Sequence, residues 1–365
     1  MRGIYVHIPF CLKKCPYCDF NSYAGLLALA GEYVDALFKQ IDTEYKGDMA
    51  DTLYFGGGTP VALPAFELER LLDGMRQKLS LAPKSEVTME ANVSSLNADK
   101  LKMMRRYGVN RLSLGLQSAD DAILRDIGRT HTAKQFRETY ELARDFGFDN
   151  ISVDLMFGLP GQREIEADID FLRRLNPEHI SAYSLTIAEN TPFAKRLPRP
   201  LPSEEAERQM YHALIAGFRN YEHYEISNFA KKDRYSRHNM KYWTGGEYYA
   251  FGAGASGFLD NVRFTLEPDP MRYIRQNGIV RRTEREVLSK KDLINEFLFL
   301  SLRLKEGIDA ALFQRKFALD FERICSDAIL QNLKKSLIYR TEKGIALTEL
   351  GLDFANQVMC DFMIG

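Results

Sequence analysis

The stretch Tyr5-Val6-His7-Ile8-Pro9-Phe10-Cys11-Leu12-Lys13-Lys14-Cys15-Pro16-Tyr17-Cys18-Asp19-Phe20-Asn21-Ser22 places three of the chain's five cysteines within eight residues. It opens as a strand, Ile4–Ile8, and turns at Pro9 into a loop. Pro16 and Asp19 make that loop polar and turn-rich, unlike a core strand. Three thiolates so close suit a soft metal centre. A closed zinc site wants four ligands, and no fourth Cys or His lies in the loop. A [4Fe–4S] cluster takes thiolates readily, and three of them leave one iron open to a substrate or cofactor. Cys325 and Cys360 lie far away in predicted helices and read as ordinary buried thiols. A low, odd cysteine count argues against a disulfide framework.

Outward from this loop, strand-like runs alternate with helical spacing. Thr52–Phe55, Glu86–Ala91, Arg111–Leu116, Ile151–Leu155 and Ile180–Leu185 read as further strands. Between them Leu29, Tyr33, Leu37 and Ile41, then Leu68, Leu71, Leu72, Met75 and Leu79, recur at helical spacing. Helices are also predicted near 97–107, 132–146 and 163–175. Six β-then-α units imply a parallel sheet, because parallel neighbours need a crossover. An incomplete barrel or an open doubly wound sheet satisfies this, and in either the functional face lies after the strands. Leu197-Pro198-Arg199-Pro200-Leu201-Pro202 is a stiff connector, and Ser203 is suited to cap the next helix. Residues 221–264, rich in Tyr, Gly and Asn, predict extra strands and loops over the barrel mouth. From Ser289, short helices and a hairpin over 338–347 predict a winged-helix-like unit. The expected organisation is a barrel domain over 1–285 and a C-terminal domain over 286–365.

The chain has 365 residues, 45% hydrophobic and 27% charged, which excludes a disordered or low-complexity protein. Its 49 basic and 50 acidic side chains leave a net charge of −1, so no global field draws it to nucleic acid. Lys334, Lys335, Arg340 and Lys343 form only a thin basic cluster. No run of 18 apolar residues occurs, and the N-terminus lacks the apolar core of a signal peptide. A cytoplasmic protein is expected.

Cys11-x-x-x-Cys15-x-x-Cys18, with aromatic Tyr17 before the last Cys, resembles the radical S-adenosylmethionine (SAM) superfamily. The longer string from Tyr5 to Ser22 resembles the oxygen-independent coproporphyrinogen III oxidase group, most of all its shorter heme-chaperone branch, HemW. The resemblance covers nearly the whole chain. It implies a partial (β/α)6 TIM-like barrel of α/β class with a small C-terminal helical, winged-helix-like domain. It also implies a [4Fe–4S] cluster on Cys11, Cys15 and Cys18, whose open iron chelates SAM. In that family the reduced cluster cleaves the C5′–S bond of SAM to a 5′-deoxyadenosyl radical. The protein's part is to orient the cofactor and exclude water and oxygen.

The resemblance extends to further residues. Gly56-Gly57-Gly58-Thr59-Pro60 matches the glycine motif that contacts the methionine amino group. Glycines allow a close backbone approach, and no Lys-Ser/Thr follows to make a phosphate loop. Glu90 matches the ribose-binding carboxylate, although Val93 stands where the family has proline. Gln117 and Asp154 match further cofactor contacts, and Arg129 matches the arginine paired with the methionine carboxylate. Tyr5, Tyr17 and Ala188 match positions lining the cluster and adenine.

Departures from the oxidases are equally specific. Phe20 replaces their additional cysteine, the first strand begins close to Met1 without their N-terminal extension, and Asp19-Phe20-Asn21-Ser22 follows the chaperone pattern. His238-Asn239-Met240-Lys241-Tyr242-Trp243 matches the motif with which heme chaperones bind heme. A neutral imidazole is a standard axial ligand; a His near the chain's only Trp also reads as a packing pair. The implied function is a SAM-binding, iron–sulfur heme chaperone that passes heme to apo-hemoproteins. The alternatives are coproporphyrinogen III oxidation, with loss of CO₂ after abstraction of a propionate hydrogen, or radical chemistry on another tetrapyrrole. The implied partners are heme, recipient hemoproteins and a reductant such as flavodoxin or ferredoxin. A homodimer and peripheral membrane contact are compatible with this.

Overall fold

Alternation along the strands decides which face meets the helices. The fourth predicted strand reads Arg-Leu-Ser-Leu-Gly-Leu-Gln, and in the computed structural model Leu112, Leu114 and Leu116 join the main apolar cluster. Arg111, Ser113 and Gln117 are equally buried but line a cavity. Neighbouring strands do the same: Leu53 and Phe55, Val87 and Met89, Val153 and Leu155 pack outward. A strand buried on both faces in a parallel sheet usually reads as a continuous apolar run. Here one face is polar because it encloses a lumen.

The structure describes residues 1–279 and 282–364. Six parallel strands stand side by side in chain order: β1 (Arg2–Ile8), β2 (Ala50–Gly57), β3 (Leu81–Ala91), β4 (Arg111–Gln117), β5 (Ile151–Phe157) and β6 (His179–Ser184). The helices Ala30–Glu44, Ala65–Lys78, Ala98–Arg106, Ala133–Asp145 and Glu166–Leu175 make the crossovers. Their apolar stripes, such as Leu68, Leu71, Leu72 and Met75, share the core with the strands. Thr132 and Gln135 form a capping box at the start of Ala133–Asp145, holding two backbone donors that would otherwise be orphaned. This α/β arrangement is the expected partial barrel.

The segment 221–264 supplies strands that extend the sheet at both edges. Tyr248–Phe251 adds to β1 as a seventh parallel strand, followed by antiparallel Ser256–Leu259, Val262–Leu266 and Arg282–Val287. Asn228–Ala230 and Glu222–Glu225 add to β6. Edge strands carry unpaired backbone groups, and these additions satisfy those of β1 and β6. The strand Arg282–Val287 runs across the boundary expected at 285.

Beyond Ser289, a second apolar cluster forms around Phe297, Leu298, Phe313 and Ile345. Its helices include Lys290–Arg303, Ala310–Phe317 and Ser326–Lys334, and Ile308–Asp309, Gly344–Leu347 and Ile338–Arg340 make a small sheet. The chain breaks at Cys325 between the helices Phe321–Ile324 and Ser326–Lys334. Cys325 is buried, but Cys360 is exposed, against the expectation of two buried thiols. No described helix is long and apolar enough to cross a membrane.

Candidate functional site

The strand ends of β1–β5 converge on a polar cavity of about 240 Å³. Cys11, Cys15, Tyr17, Cys18, Gly57, Gly58, Thr59, Glu90, Gln117, Arg129 and Asp154 all line it. They come from separated stretches of sequence, as a site at the carboxyl ends of parallel strands requires. Cys11 is buried, and its Sγ lies 3.6 Å from Thr59 Oγ1. Cys18 Sγ lies 3.9 Å from Ser22 Oγ, and Arg129 Nη1 lies 3.9 Å from Cys15 Sγ. Burial pushes the Cys11 and Cys18 thiols up. Among the described residues, no three His, Cys, Asp or Glu side chains converge on a single ion-sized point. Three sulfurs, those of Cys11, Cys15 and Cys18, border the cavity, and a soft thiolate set of this kind suits an iron–sulfur group.

The glycine motif is shaped by close approaches. Gly57 has φ +114°, and a Cβ there would lie 2.7 Å from the His7 ring. A Cβ on Gly58 would lie 2.7 Å from the Phe10 carbonyl and 3.0 Å from Cys11 Sγ. Only glycine keeps this floor against the cysteine loop. His7 is a strand residue whose Nε2 meets the Asn21 carbonyl at 2.8 Å and whose Nδ1 meets Tyr5 at 3.0 Å. Burial holds its pKa at about 4, so the ring is neutral.

Two carboxylates face the lumen. Glu90 accepts from Tyr54 at 2.8 Å and from the Gly57 amide at 3.2 Å. Burial raises its pKa to about 7; those hydrogen bonds and Arg111 oppose the rise, and Asp154 adds to it. Asp154 accepts from Ser113 at 3.0 Å, and burial raises it to about 6. Arg129 donates from Nη2 to Asn92 Oδ1 at 2.8 Å and to the Gly115 carbonyl at 2.9 Å, while its buried Nε has no partner. A buried guanidinium with a spare donor suits an incoming carboxylate. These features fit SAM and a three-thiolate cluster.

Two expected positions lie elsewhere. Tyr5 lines an adjoining cavity instead. Ala188 lies in the loop after β6, where its carbonyl accepts from Thr191, and lines none of the described cavities. The structure also adds residues that motif reading passed over. Asn92 holds both Arg129 and Thr59, the latter at 2.8 Å. Arg111 is 2% exposed, faces the polar cavity, and its Nε has no partner. The polar alternation of β4 was the available signal for Arg111.

The adjoining cavity is larger, about 810 Å³, and its wall is aromatic. It shares Phe20, Tyr54, Gly57, Glu90 and Asn239 with the polar one. Tyr242, Trp243, Tyr248, Phe258 and Phe299 complete its apolar surface. His238 is not part of it. The ring is 1% exposed, with Nδ1 2.9 Å from Thr52 Oγ1 and Nε2 2.9 Å from the Tyr242 hydroxyl. It stacks on Tyr54 at 5.2 Å, and burial pushes its pKa to about 3, with Lys241 and Arg111 adding to the shift. Both ring nitrogens are hydrogen-bonded within the fold. The imidazole braces Tyr54 and Tyr242, which do face the cavity. Its helix, Arg237–Trp243, is anchored by Glu86, which accepts from the Arg237 and His238 amides at 3.1 Å.

Comparison with known proteins agrees with this geometry. Residues 5–172 match the Radical SAM superfamily and residues 288–354 match the HemN C-terminal domain. The chain is 36% identical to the heme chaperone HemW of Lactococcus lactis, over all of this chain and 97% of that one. It is 37% identical to HemW of Bacillus subtilis, over all of this chain and 99% of the relative. HemW of Escherichia coli is 35% identical over 98% of this chain and 97% of its own length. In fold the chain is similar to the coproporphyrinogen III oxidase HemN of Escherichia coli, with a TM-score of 0.86 at 23% identity over 99% of this chain and 89% of that one. Aligned across its whole length with these chaperones, the chain belongs to the HemW family of radical SAM proteins.

Proposed function

We propose that this chain binds heme in the aromatic cavity, binds SAM and a [4Fe–4S] cluster in the polar one, and delivers heme to apo-hemoproteins. The observation that carries this reading is the shared wall: Tyr54, Gly57 and Glu90 face both cavities. Cys11, Cys15 and Cys18 would hold the cluster, and the bound pair would supply one-electron radical chemistry when reduced. Glu90 and Asp154 would accept cofactor hydroxyls, Gln117 would add a further polar contact, and Arg129 would hold a carboxylate. Gly57, Gly58 and Thr59 would let the cofactor lie against the backbone. Tyr17 would line the cofactor side of this site and Tyr5 the aromatic side. The wall of Tyr242, Trp243 and Phe258 suits a flat macrocycle, because aromatic rings stack offset on such a face. A reductant protein and a hemoprotein recipient complete the expected partners, and the cytoplasm is the proposed compartment.

Two measurements test this. Heme titrated anaerobically into the full chain should give a saturable Soret band, and Trp243→Ala should weaken binding about tenfold through the lost aromatic contact. A titration indifferent to Trp243 would remove this cavity as the heme site. Reduced, cluster-loaded protein given SAM and coproporphyrinogen III should release no decarboxylated product. Decarboxylation with matching 5′-deoxyadenosine would make the chain an oxidase instead.

A further inference from the structure

Among the described residues, the aromatic cavity holds one ion pair, at the seam between the sheet and the helix Lys290–Arg303. Arg263, on the edge strand Val262–Leu266, donates from Nε to Glu296 Oε1 at 3.2 Å and from Nη2 to Glu296 Oε2 at 2.7 Å. Both residues line the cavity, as do Phe299 and Leu300 of the same helix. The guanidinium lies 5.1 Å from the centre of the Phe258 ring. Among the described lining residues Arg263 is the only Lys or Arg, and burial keeps His7 neutral. A carboxylate brought into this cavity therefore meets the fixed cation of Arg263. The existing pair is 38% and 31% exposed, so water screens its attraction. The arginine fork offers the same two parallel bonds to any carboxylate. Exchanging one carboxylate for another there costs little.

We propose that Arg263 is the seat for a carboxylate of the cavity's ligand, and that seating it displaces Glu296 and releases the cavity side of the helix Lys290–Arg303. This rests on the heme reading, since heme carries two propionates on one edge of an apolar ring. The step is an exchange of ion-pair partners, with no covalent change. The far end of the helix stays fixed. Arg303 donates from Nε and Nη2 to Glu225 Oε2 at 3.1 and 2.9 Å, and the Glu225 side chain is 0% exposed. A pair that deeply buried is costly to break. Because Ile294, Phe297, Leu298 and Leu302 of this helix belong to the C-terminal apolar cluster, occupancy of the cavity is felt there.

The test compares heme with heme dimethyl ester, whose propionates are capped, by Soret titration of the full chain. Native protein should prefer heme to the ester. Arg263→Gln should weaken heme about tenfold, the loss of one charge-assisted pair, and leave ester binding unchanged. Glu296→Gln should tighten heme binding severalfold. Without ligand it should also speed amide exchange in Lys290–Arg303 to the rate that heme produces in the native chain. Equal binding of heme and ester, with Arg263→Gln weakening both alike, would overturn the proposal and leave the heme reading intact. Binding of neither ligand would overturn the heme reading and the seat with it. Far-ultraviolet circular dichroism of both variants shows that the fold survives.

Discussion

The polar and aromatic cavities share a wall but draw on different parts of the chain. The polar one collects short, widely spaced motif residues at the ends of parallel strands. Among its described side chains, Arg129 keeps its Nε donor free. The aromatic one is built from edge strands, one short helix and the helix Lys290–Arg303. Its motif histidine is fully used by the fold. A motif residue with spare hydrogen-bonding capacity at a cavity is placed to bind. One with every polar atom engaged is placed to support its neighbours.

The largest expected effect would separate the two cavities outright. Cys15→Ala leaves two thiolates at the opening and should abolish cluster assembly, read as iron and sulfide content. The heme Soret titration should persist, because none of the three cysteines lines the aromatic cavity. Joint loss of both would show that the cavities form one cooperative site.

Glu90 sits on the shared wall, so its replacement sharpens the comparison. Glu90→Gln should weaken SAM binding at least tenfold, by equilibrium binding to the cluster-loaded protein, through loss of a charged acceptor. Its effect on stability has the opposite sign. The carboxyl is raised from 4.5 to about 7 by burial, so the folded state holds its proton more tightly than the unfolded chain. The associated stability is fully present below about pH 4.5 and lost as pH rises through about 7. Above that, the cofactor-free protein carries a buried charge costing roughly 3 kcal/mol, at about 1.4 kcal/mol per pKa unit. Glu90→Gln should therefore raise stability to denaturant at pH 8 and change it little at pH 4.5. Destabilisation at pH 8 would show that the carboxylate is a structural anchor.

The smallest effect concerns His238. His238→Ala should leave Thr52 and Tyr242 without a partner and cost about 2 kcal/mol at pH 7.5, typical of orphaned buried polar groups. Heme affinity should fall only severalfold, through a loosened Tyr242. The folded pKa is depressed from 6.5 to about 3, so the native ring's contribution is present above pH 6.5 and lost as pH falls through about 3. The gap between variant and native protein should narrow between pH 6.5 and 4 in denaturant titrations. Complete loss of the Soret band at unchanged stability would instead return His238 to the role of ligand.

Much of this was legible in the residues. The strand and helix periods announced six parallel units, and the cysteine spacing announced a soft metal group. Where the strands of segment 221–264 would pair was not legible, because short strands such as Tyr248–Phe251 carry no period, and their partners lie far off in sequence. Arg111 and Asn92 escaped because a single polar residue inside a strand or turn looks like surface until its neighbours bury it. Cys360 was misjudged because helical spacing does not say which stripe meets a core.

By itself, the sequence determined the order of elements, the glycine floor beneath the cysteine loop, and the chemistry of the thiolate and carboxylate groups, since backbone propensity and functional-group chemistry are local. Tertiary structure alone decided which of those groups kept free valences. It set the elevated Glu90 and Asp154, the spare Arg129 donor, the brace made of His238, and the placing of Arg263 in the aromatic wall. Burial and hydrogen-bond satisfaction depend on partners brought from distant strands, and no local pattern encodes them.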